Sequence, residues 1–401
     1  MSPNRIGIVG AGLIGLATAR ALHHRDPSLR VVVFEREAGP VCHQSGRNSG
    51  VVHSGIYYQP GSLKATFCRQ GKRLLEDFCR EQGIPLRGSG KLILATHDDQ
   101  LPELVRLHQQ GQANGVNCRL LSKNEVRRIQ PRVRASAAID VEESGLVDFG
   151  QVGARLSSLL GEINVELRFG QRVDRLVADG DGIWLQTKAG RDRFDYVVNC
   201  AGVYADRLAA STDPALPAQI VPFRGEYYRL RPAMAEGLAQ QPLYPVPDPR
   251  FPFLGVHFTP TLEGQVVVGP NAVLALARDG YGWGVIHPGE LARMLAYPGF
   301  WRMALRHWRM GLHEWARSCS KRRFAASAAE LVPGVQPADL LVSPPGVRAQ
   351  AVGRDGRLVD DFLLVQGPRR LHMLNAPSPA ATGSLRIGQH LAELVRANLG
   401  D

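Results

Sequence analysis

No uninterrupted apolar run in the 401 residues approaches the roughly 18 needed to cross a bilayer as a helix, which excludes an integral helical membrane protein. Cysteine is scarce and scattered. Cys42, Cys68, Cys79, Cys118, Cys200 and Cys319 form no CxxC pair, so neither a disulfide framework nor a zinc site is expected, and a reducing cytoplasm fits. There is no internal repeat and no low-complexity segment. The start, Met1-Ser2-Pro3-Asn4-Arg5, passes straight into an apolar strand pattern without signal-peptide architecture, again an expectation of a cytoplasmic protein. Positive charge is the one excess: 48 Lys and Arg against 37 Asp and Glu give +11, a field that favours anionic partners. Such a bias also arises from genome composition, so charge alone chooses no function.

The first strong signal is a βαβ pattern. Arg5-Ile-Gly-Ile-Val9 reads as a short strand, and Gly10-Ala-Gly12-Leu13-Ile14-Gly15 follows it. Leu13, Leu16, Ala17, Ala21 and Leu22 then recur at helical spacing until Pro27, and Leu29–Glu35 reads as the next strand. Gly10 suits a tight turn, Gly12 a close backbone approach to a pyrophosphate, and Gly15 helix–strand packing. The pyrophosphate would sit at the positive helix end, contacting Leu13 and Ile14. Glu35, with Arg36 beside it, is placed to meet the adenosine ribose. In this order the elements predict a dinucleotide site.

FAD and NAD share that fingerprint, so the rest of the chain must decide. In an NAD dehydrogenase strands and helices alternate through the first 150 or so residues. Here the alternation stops after Glu35. A polar, glycine-rich stretch, Gln44–Gly50 with Asn48 and Ser49, leads to Val51–Tyr58, and Ser62 caps a helix that Gly83 stops. A strand at Gly90–Ala95 and a polar helix near Leu101–Asn114 follow. Then come a strand at Val165–Phe169, a meander beginning at Val173, and a second dinucleotide-type strand ending at Gly202. Ile220–Gly269 alternates like an antiparallel sheet, and Leu371–Leu374 precedes Asn375-Ala-Pro-Ser-Pro-Ala-Ala-Thr382 and a final helix. Such interleaving predicts an α/β flavoprotein. The closing strand–loop–helix would bring Asn375, Pro379, Ala380 and Thr382 to the flavin.

Ser49–Tyr58, Gly255-Val-His-Phe258, Tyr297-Pro-Gly-Phe-Trp301 and Asn375–Thr382, with the GxGxxG, resemble the L-2-hydroxyglutarate dehydrogenase/oxidase group of the D-amino-acid-oxidase-like FAD-dependent oxidoreductases. The resemblance runs from Ile6 to about Ala397. It implies a Rossmann-like FAD-binding domain assembled from residues 1–85, 148–215 and 335–401 and an antiparallel-sheet substrate domain from 86–147 and 216–334. It also implies FAD-dependent oxidation of a small dicarboxylate, L-2-hydroxyglutarate, to 2-oxoglutarate, with electrons passed to a membrane quinone or to oxygen.

Oxidising a 2-hydroxy acid by flavin requires a base near the C2 hydroxyl, cations for two carboxylates, and C2 held against the flavin. Histidine suits the base. His23, His24, His97 and His108 sit in surface-like contexts. His257, in the expected substrate sheet, is the preferred base, and His53, beside the flavin loop, is expected to touch flavin or substrate. Arg348, after a Pro-Pro-Gly turn, stands where relatives of this fold clamp a carboxylate, and a guanidinium fork matches that geometry. Arg224 is the candidate for the second carboxylate, and Tyr57 and Tyr244 are candidate hydroxyl donors.

Residues 282–324 hold four of the five tryptophans (Trp283, Trp301, Trp308, Trp315) and eight Lys and Arg against two acids, a local charge of +6. Either the tryptophans enter a core, or they form an interfacial patch with arginine meeting anionic lipid. The second reading suits peripheral placement on the inner face of the cell membrane and access to quinone. Rival readings are a flavoprotein of the same fold oxidising glycerol 3-phosphate or an amino acid, and a basic nucleic-acid-associated flavoprotein. No RNA-binding module is present, so no nucleic-acid partner is expected, and no metal.

Overall fold

The computed structural model describes residues 4–163, 165–248 and 254–399; Met1, Ser2 and Pro3 lie outside the described residues. Arg5–Val9 is a central strand of a six-stranded sheet whose order is Leu363–Gly367, Arg370–Asn375, Tyr196–Asn199, Arg5–Val9, Arg30–Phe34, Glu166–Arg168. All neighbours are parallel except the first pair. Both faces are covered, which explains the uninterrupted apolar strands. Ile6, Ile8, Val31 and Val33 face helices Leu13–Arg25, Phe149–Glu162 and Ser384–Leu399. Val32 and Phe34, one residue out of phase, face the meander Val173–Asp179, Gly182–Thr187 and Gly190–Phe194.

The closing helix Ser384–Leu399 packs directly on the opening helix Leu13–Arg25. A Cβ at Gly388 would fall 2.5 Å from the carbonyl carbon of Ala17. Arg25 reaches across to Glu393 at 2.6 Å. The helix expected after Ser62 spans Leu63–Glu81, with the Ser62 hydroxyl accepting the Ala65 N–H. It presents Gly71 to the loop that precedes the closing helix, where a Cβ would lie 2.5 Å from Gly383 Cα.

The second sheet has nine strands among the described residues. Its longest pairing, Ala218–Leu230 with Leu340–Gly353, runs from Ala218↔Gly353 to Leu230↔Leu340. Leu340–Gly353 falls within the span 335–401 assigned from sequence to the cofactor domain, yet it completes this sheet. Local pattern announces a strand but not its partner. At the middle, Leu243–Pro245 pairs with Lys91–Ala95 in parallel and with His257–Pro260 in antiparallel fashion. Leu92, Leu94, Leu243 and Phe258 point to one face, against helix Lys321–Leu331 through Phe324 and Ala328. The register Tyr244↔Ile93 and Leu243↔Phe258 therefore puts Lys91, Tyr244 and His257 together on the other face.

Helix Pro298–Ser318 carries the tryptophans, with non-helical backbone angles at His307. Phe300 and Met303 pack inward against Val221 and Val352. Trp301, Leu305, Trp308, Leu312 and Trp315 are exposed, between 50% and 73%. Their steps of four and three residues make one apolar stripe, so these tryptophans do not enter a core. No helix among the described residues is long and apolar enough to cross a membrane.

Candidate active site

The end of the opening strand faces a cleft enclosing about 990 Å³ of empty space, its solvent mouth included, within the range of a sizeable ligand. Gly10, Gly12, Glu35, Arg36, Val173 and Gly202, all named from sequence as cofactor candidates, line it. Gly10 has φ +105° and lies against the Cys200 carbonyl, where a Cβ would overlap. A Cβ at Gly15 would overlap the Gly10 carbonyl oxygen, so helix and strand approach backbone to backbone. At Gly12 a Cβ would meet only the Ser45 hydroxyl, leaving the helix mouth open. Gly12 at the N-cap brings no side chain of its own and the first turn holds no acid, which suits an anion.

The Glu35 carboxylate accepts the Ala11 N–H at 2.8 Å and the Glu37 N–H at 3.0 Å. Two backbone bonds fix it at the cleft and leave acceptor positions over. Arg36 pairs with Glu37 at 3.0 Å and lies over the Tyr204 ring. Leu13 is buried in the core and its N–H is taken by Ser45 Oγ at 3.1 Å; Ile14 packs on the same core. Asn48 is exposed and spends its side chain on the Ser45 carbonyl and the Gly50 N–H, shaping the loop.

The second half of the site lies where Val51–Tyr58, the closing loop and the second sheet meet. Thr382 Oγ1 accepts the His53 N–H at 3.1 Å, and Ser378 Oγ lies 3.3 Å from His53 Nε2. Pro379 is buried and Ala380 half-buried in the same loop. Asn375 is buried and donates to the carbonyls of Val359 and Asp361, so it anchors the loop's root. His257 lies face to face with Tyr244, ring centroids 4.1 Å apart. Its Nδ1 is 2.9 Å from the Gly255 carbonyl, so that nitrogen carries the proton and Nε2 holds the lone pair. The Tyr244 hydroxyl lies against Thr259 and Ser49.

Burial, then the nearby cations, sets the electrostatics. Burial pushes His257 down to about 3, with Arg348 and Lys91 adding to the fall. His53 is likewise held at about 3 by burial, then Lys91 and His257. Both rings are neutral at physiological pH. Tyr57 and Tyr244 are pushed up by burial and stay protonated. His53 Nδ1 and the Tyr57 hydroxyl are buried with no hydrogen-bond partner among the described residues.

Arg348 donates to the Tyr227 hydroxyl and shifts both His257 and Tyr244. Arg224 differs from expectation. It pairs with Val347 while Arg348 pairs with Phe223, so alternation sends the two arginines to opposite faces. Arg224 is bound to Glu226 at 3.0 Å and stacks on Trp283. It therefore braces the tryptophan segment and is not with the site residues. Sequence reasoning missed Lys91, which is fully buried with Nζ over the rings of Tyr57 and Tyr244. The only trace of it in the sequence is a lysine opening an otherwise apolar strand.

Residues 5–394 match the family model described as FAD dependent oxidoreductase. The chain belongs to that family. Its cofactor is FAD, and it is an oxidoreductase. It is 41% identical over 388 residues to an L-2-hydroxyglutarate dehydrogenase of Indibacter alkaliphilus, covering 96% of this chain and 97% of that protein. It is 39% identical to the mitochondrial L-2-hydroxyglutarate dehydrogenase of Homo sapiens, covering 98% and 88%. Among solved structures, the dithionite-reduced L-alpha-glycerophosphate oxidase from Mycoplasma pneumoniae with FAD bound matches at TM-score 0.79 and 22% identity, covering 99% and 95%. Glycine oxidase from Geobacillus kaustophilus matches at TM-score 0.71 and 20% identity, covering 98% and 95%. At such identity these two establish the shared fold.

The residues present fit the dinucleotide: a helix mouth beside Gly12 with no acid in its first turn, a fixed carboxylate at Glu35, and a cleft running past Val173 and Gly202.

Proposed function

We propose that the protein oxidises L-2-hydroxyglutarate to 2-oxoglutarate. The observation that carries this reading is the buried face bearing His257, Tyr244 and Lys91 beside Arg348, in a chain alike from end to end to L-2-hydroxyglutarate dehydrogenases. FAD, when bound, supplies the acceptor for the hydride leaving C2. Gly10, Gly12, Glu35, Arg36, Val173 and Gly202 hold its adenosine diphosphate part, and the loop around His53, Pro379, Ala380 and Thr382 holds the other end.

His257 takes the proton of the C2 hydroxyl on Nε2, because Nδ1–H is committed to the Gly255 carbonyl. A free ring held near 3 is a weak base. A dianionic substrate beside it reverses the effect of Arg348 and Lys91 and raises its basicity when the proton must move. Arg348 grips the C1 carboxylate, with Tyr227 fixing the guanidinium. Tyr57 donates its unpartnered hydroxyl to substrate or flavin. The walls exclude water, so each of these interactions is stronger than in solution.

The electron acceptor is a membrane quinone, with oxygen as a slow alternative. The exposed stripe from Trp301 to Trp315, flanked by exposed Arg302, Arg306, Arg309, Lys321, Arg322 and Arg323, supports peripheral docking on anionic lipid. Anaerobic mixing with L-2-hydroxyglutarate is expected to bleach the bound flavin. Bleaching by glycerol 3-phosphate or an amino acid instead would sink the assignment.

A further inference from the structure

Lys91 is a buried cation with no anionic partner among the described residues. It is 0% exposed, and among those residues its Nζ makes no hydrogen bond and no ion pair. An unpaired buried ammonium costs several kcal/mol in a folded protein, so a lysine kept there points to a ligand that completes it. The nitrogen lies 4.4 Å from the Tyr57 ring centre and 5.0 Å from that of Tyr244. Those rings soften the burial of a cation without saturating its three donors.

Lys91 also stands in a definite relation to the other cation. Arg348 acts on Tyr244 and His257, while Lys91 acts on His53 and His257. Both cations therefore act on His257, with Arg348 also bound to Tyr227 and Lys91 over the Tyr57 ring. A five-carbon diacid whose C2 hydroxyl meets His257 has one carboxylate for each cation. Sequence reasoning asked for two cations and named Arg224 for the second, but Arg224 is spent on Glu226 and Trp283.

On the reading that the substrate is a 2-hydroxy dicarboxylate, we infer that Lys91 receives the second carboxylate and is the residue that selects a diacid over a monoacid. Geometry and titration agree. Burial lowers Lys91 to about 7, with the Cys68 thiol as the counteracting neighbour. The titratable groups facing it are His53 and Tyr57 of the loop, Cys68 of the capped helix, and Tyr244 and His257 of the sheet. None among the described residues is a carboxylate. A carboxylate arriving there restores the ammonium. The two histidines, held near 3, stay neutral at pH 8 in either state.

Two measurements on the FAD-loaded protein test the inference. In spectral titration of the flavin, Lys91→Met is expected to weaken L-2-hydroxyglutarate by roughly 100-fold. The same variant should leave the weaker L-2-hydroxybutyrate, which lacks the second carboxylate, within about twofold. Calorimetry with 2-oxoglutarate at pH 8, in buffers of different ionisation heat, should show uptake of about one proton by the wild type and none by Lys91→Met. Lys91→Arg, which keeps the charge, should recover part of the diacid preference if the Met variant loses flavin. Equal losses for diacid and monoacid, or proton uptake unchanged in Lys91→Met, would overturn the role of Lys91 while the substrate reading stood. Wild-type flavin left unbleached by L-2-hydroxyglutarate would overturn both.

Discussion

His257 and His53 are both held neutral, but their rings have different company. His257 gives one nitrogen to a backbone carbonyl and lies flat on Tyr244, which fixes tautomer and plane. His53 touches the closing loop through Ser378 and leaves Nδ1 without a partner among the described residues. His257→Asn should therefore keep FAD and slow its reduction by L-2-hydroxyglutarate by about 100-fold or more in stopped flow. Lys91 makes a stability prediction with a definite sign. Its folded value is depressed to about 7 from the 10.5 of the free side chain. The unfolded chain thus binds more protons than the native one between those pH values, and native stability rises with pH across the interval. Lys91→Met should raise Tm in the absence of substrate, by more at pH 6 than at pH 10. No local pattern could have announced this residue. Whether a lysine at a strand's first position is buried depends on which loop folds over it, here Val51–Tyr58. Arg224 misled for a related reason: which face an arginine takes is fixed by register across the strand pair, and the chain shows that pairing only once folded.

Elements whose partners are local were readable. The glycine fingerprint, the helix started by Ser62 and the meander from Val173 each carry their own signal at short range. The strand Leu340–Gly353 carries none about its destination, because pairing with Ala218–Leu230 is a contact between distant segments. The helix Pro298–Ser318 shows the same division. Its spacing of four and three is visible in the sequence, whereas the exposure of Trp308 and Leu312, each more than half open to solvent, is a property of the fold. Changing both to Ser should leave Tm and flavin reduction near wild type while abolishing flotation with vesicles containing phosphatidylglycerol. Unaltered flotation would remove the stripe from the membrane argument. A glycine inside a helix ordinarily costs about 1 kcal/mol relative to alanine. At Gly388 the added methyl would press on Ala17, and overpacking of that kind costs about 1–3 kcal/mol. The net sign is destabilising, so Gly388→Ala should lower the urea midpoint and weaken FAD retention.

At the scale of the whole molecule, the cofactor site is closed by pieces far apart in the chain. Arg25 meets Glu393 across 368 residues, and His53 meets Thr382 across 329. A chain ending before Ser384 retains the entire glycine fingerprint, yet it loses the cover of Leu16, Ala17 and Leu22 by Ile387, Leu391 and Val395. It should emerge without flavin absorbance even when soluble. The Gly388–Ala17 contact also has a temporal consequence. On the ribosome the opening helix emerges long before Ser384–Leu399, and its apolar flank has no permanent cover until that distant segment follows. Synthesis at about 5–20 residues per second leaves that flank bare for tens of seconds. Any arrest of translation before Ser384 hands the cell a nascent product that displays a nucleotide-binding sequence but lacks the wall needed to keep its vitamin-derived prosthetic group.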